Sequence, residues 1–281
     1  MSASNGLSGP GSQPAEEDGA ELSYMEMPKG MRTYSMPAIP EKEEGAAFGP
    51  ALAKLDDVLA ALRAAPRAGT TFEIGLDTLD AANRDFVSQL LGEGEVSIVA
   101  GASIQAQEAV TPGIWRIQEV DASGALIGDR IEVGDFPASV LRVARDAAAS
   151  YLCPADGVAG AGVMNAPAIA TELADKLAAY RAGGEVHVIN LSLLPLTGED
   201  MAYLDRRLGQ GAVTVLSRGY GNCRISSTAV ENAWRVRYFS SRENVILDTV
   251  EIARVPEAAC AASEDLADSA ERLEEILGVY R

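Results

Sequence analysis

The sequence predicts an α+β protein made of a tandem duplication of a helix-flanked, mainly antiparallel sheet module, preceded by a disordered N-terminal tail. Two observations carry this. The phrase Val87-Ser-Gln-Leu-Leu-Gly-Glu-Gly-Glu-Val-Ser-Ile-Val99, a helix end, a glycine turn and a strand, returns at Leu204–Leu216, with Gly92, Gly94 and Val96 answered by Gly209, Gly211 and Val213. Further on, Trp115-Arg-Ile117, Asp129, Glu132 and Pro137 are answered by Trp234-Arg-Val236, Asp248, Glu251 and Pro256. Ile74, Leu76 and Leu79 are set against Leu191, Leu193 and Leu196 upstream. A repeat of this length is a small domain rather than a solenoid unit. The expected division is a tail over 1–46, a first, degenerate module over 47–160 and a second over 161–281.

The elements follow in order. Ser, Gly, Pro, Glu and Met dominate the tail without periodicity, which predicts disorder. Within it, Tyr34-Ser-Met-Pro-Ala-Ile-Pro40 has the composition of a segment that orders on a partner. Leu52, Leu55, Leu59 and Leu62 recur at helical spacing across Pro50–Ala65. Phe72–Leu76 reads as a strand, and Asp80 caps a helix to Leu91. Strands are expected near Val96–Val99, Ile114–Val120 and Ala125–Val133, the last two joined by the Asp121-Ala-Ser-Gly124 turn. Pro137 opens a helix to about Leu152, Cys153–Gly160 is irregular, and Asn165 caps a helix that Gly183-Gly184 ends.

The second module starts with a strand at Val186–Leu191. Thr197 and Asp200 begin a helix that stops at Gly209, a position suited to left-handed backbone. Strands follow near Ala212–Leu216, Cys223–Ser227, Ala233–Phe239 and Val245–Ile252, and a last helix runs from about Pro256 to Leu277. Trp115 and Trp234 are expected as core anchors, and the recurring Asp129/Asp248 and Glu132/Glu251 as turn or salt-bridge residues.

Composition excludes several classes. A net charge of −18 argues against nucleic acid as the main partner, because phosphate neutralisation needs a basic face. No apolar run approaches a membrane span, and Met1-Ser-Ala-Ser-Asn-Gly6 lacks the look of a secretory signal, so a cytoplasmic protein is expected. Three cysteines and one histidine, scattered, form neither a disulfide framework nor a metal site, and no cofactor is expected. The glycine pairs do not make a nucleotide loop, since Gly92-x-Gly94 and Gly209-x-Gly211 follow helices and open strands.

The charged residues differ between the modules. Leu204–Arg242 contains seven arginines against Asp205 and Glu231, whereas Val87–Ser123 is acidic apart from Arg116. The candidate partner-binding residues are the loop string Ser217, Arg218, Gly219, Tyr220, Gly221, Asn222, Cys223 and Arg224. Arg218 and Arg224 beside Cys223 would favour a thiolate, with His187 as the sole histidine available as a base. The alternatives are Cys223 as a small packing residue, as part of a binding surface, or as the nucleophile of a thiol-dependent redox or transfer enzyme.

The strings His187–Leu196, Leu208-Gly-Gln-Gly211, Leu216–Ile225, Tyr238-Phe-Ser240 and Glu264-Asp265 closely resemble the HupH/HyaF family of [NiFe]-hydrogenase expression proteins, as do Leu90–Ser97 and Met36–Glu41. The resemblance implies a non-catalytic accessory or chaperone role. It implies binding of the hydrogenase small-subunit precursor before export, while its iron–sulfur clusters are completed or protected, with a thioredoxin-like accessory protein as co-partner.

Overall fold

A computed structural model describes residues 48–65, 69–154, 160–181, 183–218 and 222–281. The expected disorder of the tail and the glycine tip Gly219, Tyr220 and Gly221 lie outside the described residues. The elements in order are α1 (Gly49–Ala64), β1 (Phe72–Gly75), α2 (Ala81–Leu91), β2 (Val96–Ala100), β3 (Ile104–Glu108), β4 (Ile114–Val120), β5 (Leu126–Val133) and α3 (Ala138–Asp146). The second half has α4 (Ala166–Arg181), β6 (His187–Asn190), α5 (Gly198–Leu208), β7 (Val213–Ser217), β8 (Asn222–Ser227), β9 (Ala233–Phe239), β10 (Val245–Ile252) and α6 (Ser263–Tyr280).

The fold is α+β, and the described residues form one antiparallel sheet of ten strands in the order β1-β5-β4-β3-β2-β7-β8-β9-β10-β6. The two halves do not form separate sheets. They join where β2 pairs with β7, Ile98 opposite Val215, in a ladder of five residue pairs. Backbone bonds seal both ends of this seam, from the Gly101 N–H to the Ala212 carbonyl (2.8 Å) and from the Arg218 N–H to the Glu95 carbonyl (3.2 Å).

Local chemistry sets the element ends. Asp80 Oδ1 accepts from the Asn83 N–H at 2.8 Å to start α2, and Thr197 and Asp200 form a capping box at α5. Asp200 also reaches across to α4, its Oδ1 accepting the N–H groups of Met164, Asn165 and Ala166. The start of α4 is therefore held by this remote carboxylate, whereas Asn165 turns its side-chain amide to the Pro195 carbonyl. Gly92 and Gly209 end α2 and α5 with φ near +60°, which glycine adopts without a Cβ penalty.

Four expectations are corrected. Strand β3 was not expected, because Ile-Gln-Ala-Gln-Glu contains few strong β formers. Its alternation nonetheless buries Ile104, Ala106 and Glu108 and leaves Gln105 and Gln107 on the other face. Helix α3 stops at Asp146 rather than near Leu152, and Ala149 bridges to Val230 instead. The last helix starts at Ser263, after a separate 3-10 turn at Glu257–Ala259. The upstream match between the halves slips by two: Ile74 pairs with Ile131 as Ile189 does with Val250, so Ile189 and Leu191 answer Ile74 and Leu76. Leu193 is 80% exposed, as a core counterpart of Leu76 would not be.

Three cores form. On one sheet face α3 and the Glu257–Ala259 turn cover the centre, over Trp115 and Trp234. On the opposite face, α1, α2 and α6 cover the first-half end and α4 and α5 the second-half end. Trp115 and Trp234 are buried, as expected of core anchors. Asp129 pairs with Arg116 at 2.7 Å, and Asp248 takes both Nε and NH2 of Arg235. The recurring aspartates thus hold ion pairs.

Candidate functional site: an open groove on the sheet

Among the described residues, helices cover only the ends of one sheet face. Helix α2 stands over β4, where Arg116 reaches Ser88, and α5 stands over β9, where Arg235 NH1 lies 3.2 Å from Asp205. Between them the outward side chains of β3, β2, β7 and β8 form a floor that no helix among the described residues covers. Three strand spacings separate β3 from β8, about 14 Å. Ser97, Val99, Thr214, Leu216 and Ser226 on this floor are half-buried, and Gln105 is exposed.

The floor is chemically lopsided. In the first half Gln105 sits directly opposite Gln118. The positions 119 residues later are Arg224 and Arg237, again directly opposite each other. Like charges so placed repel. Arg237 lies 3.5 Å from Asp248, and the Arg224 guanidinium lies 5.6 Å from the centre of the Phe239 ring. Among the described residues, neither Arg218 nor Arg224 has a carboxylate within ion-pair distance. A guanidinium pair without full neutralisation, in a chain of net charge −18, forms a local anion-attracting patch.

The structure divides the expected site residues. Arg224 belongs to the groove floor, and Asn222 is exposed at its end, opposite Phe239. Ser217 and Cys223 oppose each other on the covered face. Arg218 leaves β7 at the seam. Arg237 and Phe239 complete the patch, and the sequence reading did not include them in the site. The alternation of Arg235, Arg237 and Phe239 along one strand was the signal available for them.

Of the alternatives open for Cys223, the surroundings of the thiol favour the small packing residue. Cys223 is 5% exposed within the central core, and burial pushes its thiol pKa up, with Glu251 adding to the shift against a hydrogen bond to Tyr238. The neighbouring arginines do not produce a thiolate, because alternation places Arg224 on the opposite face. His187 lies on the edge strand β6, three strands and about 14 Å from β8. Its Nε2 lies 2.8 Å from Glu172 Oε1. Cysteine and histidine are therefore not brought together as nucleophile and base. Among the described residues no group of three or more His, Cys, Asp and Glu is placed to hold a metal ion. No helix there is long and apolar enough to cross a membrane.

Fold and face together define a sheet-and-helix protein with a partly basic sheet face. The family described as "HupH hydrogenase expression protein, C-terminal conserved region" matches residues 49–156 and 163–280. The chain belongs to this family. It is 47% identical to the hydrogenase expression/formation protein HoxQ of Cupriavidus necator, across 96% of this chain and 95% of the relative. It is 46% identical to HupH of Rhodobacter capsulatus, across 97% and 96%. The hydrogenase-1 operon protein HyaF of Escherichia coli is 32% identical, across 96% and 94%.

Proposed function

We propose that the protein is a non-catalytic accessory protein of [NiFe]-hydrogenase maturation. It holds the small-subunit precursor in the cytoplasm before export and assists or guards its iron–sulfur clusters, with a thioredoxin-like protein as co-partner. The observation that carries this reading is near full-length similarity to proteins named for hydrogenase expression and formation. The lopsided groove supports it, since half-buried arginines facing an acidic partner surface speed encounter and fix register. Arg218 and Arg224 are assigned to the contact face.

The test is purification of the tagged protein from hydrogenase-expressing cells under air. Recovery of the precursor with its export signal attached is the expected result, and recovery of no hydrogenase component overturns the reading. Arg218→Ala with Arg224→Ala is expected to reduce that recovery; undiminished recovery would move the contact elsewhere. The competing thiol-enzyme reading requires Cys223→Ser to abolish maturation while binding survives. A buried thiol without a base beside it predicts that maturation survives.

A further inference from the structure

On the binding role proposed above, we infer that the groove between α2 and α5 takes an extended, acidic peptide segment of the partner, with its carboxylates on Arg224 and Arg237. Three observations converge on this occupant. The floor is a four-strand span walled by two helices, wide enough for one extended chain about 10 Å across with its side chains. Its outward residues include Ser97, Gln105, Thr214 and Ser226, uncharged groups able to bond the amides of such a chain. At one side Arg224 and Arg237 stand directly opposite each other, and Arg224 is without a carboxylate among the described residues.

The matching side of the first half is the internal control. Gln105 and Gln118 occupy the same register there, so the fold does not require arginine at these places. The guanidinium pair is therefore a feature of one side of the groove, where the Arg224 guanidinium lies over the Phe239 ring. Packing explains the other arginine of this strand: Arg235 is spent on Asp248 and Asp205.

The test uses the full chain and fluorescence anisotropy with a labelled decapeptide of alternating Glu and Val, against its Gln-Val counterpart. The Glu peptide is expected to bind with a salt-dependent Kd, and the Gln peptide at least about tenfold more weakly. Arg224→Gln with Arg237→Gln, which installs the first-half residues, should lose the same factor. Arg224→Gln alone should lose part of it; this variant leaves the Arg237–Asp248 contact intact and guards against misfolding. Equal binding of the two peptides, or no effect of either variant, overturns the inference. Full displacement by inorganic phosphate at low millimolar concentration would mean a simple anion site and overturn it too. Peptide binding without co-purification of the precursor would leave the groove assignment standing and remove the small-subunit reading. The reverse pattern would do the opposite.

Discussion

Asp135 and Arg254 lie 119 residues apart, at corresponding positions just after β5 and β10, and they form an ion pair between the two halves. Asp135 is buried, and its Oδ1 also accepts the Phe136 N–H at 2.9 Å. The two halves thus carry opposite charges at this position and are bonded through it. Asp135→Asn keeps the shape and removes the charge. It is expected to lower stability by about 1–3 kcal/mol, read as a fall in the urea midpoint. An unchanged midpoint would show the pair to be incidental.

The paired aspartates of β5 and β10 should be costlier. Asp248 neutralises Arg235, which is 8% exposed. Asp248→Ala leaves that guanidinium buried and only partly compensated by Asp205, at a cost of about 3–5 kcal/mol. Arg235→Met combined with Asp248→Leu removes both charges and should recover a large part of the loss. A double variant as unstable as the sum of the singles would count against charge burial as the cause.

Glu108 supplies a pH dependence. Burial is the main cause of its pKa rising to about 7; Asp265 and Glu95 add to the rise, and the Gly113 N–H, 3.2 Å from its Oε1, opposes it. A carboxyl whose folded pKa is raised favours folding while protonated. Its contribution is full below about pH 4.5 and is lost as pH rises to about 7, by up to about 3 kcal/mol. Urea midpoints of the wild-type protein should therefore decline relative to Glu108→Gln between pH 5.5 and pH 8. Parallel curves would refute the assignment.

The three thiols should separate by reactivity. Cys223 is buried and Cys153 and Cys260 are half-buried, and burial raises the pKa of Cys223 and pushes that of Cys260 up to about 12. In native protein at pH 7.5, iodoacetamide should modify Cys153 first, Cys260 more slowly, and Cys223 only in denaturant. Rapid native labelling of Cys223 would reopen thiol chemistry.

Much of this was legible because the signals were local. Asp80, Thr197, Gly92 and Gly209 mark helix ends through caps that act within four residues, and Trp115 and Trp234 announce core strands by their apolar neighbours. The β2–β7 seam was not legible. Val96–Ala100 and Val213–Ser217 are ordinary apolar strands, and their partnership spans more than a hundred residues. Strand β3 was hidden by its glutamines. The candidate site was found only in part: charge marked Arg224, but Cys223 was grouped with it although consecutive strand residues face opposite ways. Arg237 joins the site through strand register, which neighbours in sequence do not reveal.

The position of α6 has a consequence for biosynthesis. Leu266, Ala270, Leu273 and Leu277 pack into the first-half core with Leu55, Leu59 and Phe86, although more than 170 residues separate Phe86 from Leu266. A ribosome that has released the first half has not yet supplied the helix that closes its core. That half must wait, with apolar surface open to chaperones, until the second half has been made. Chain ended after Ala262 should reproduce this waiting state, binding a hydrophobic dye strongly where the full chain does not. Equal dye binding by both would show that the first half closes its core unaided.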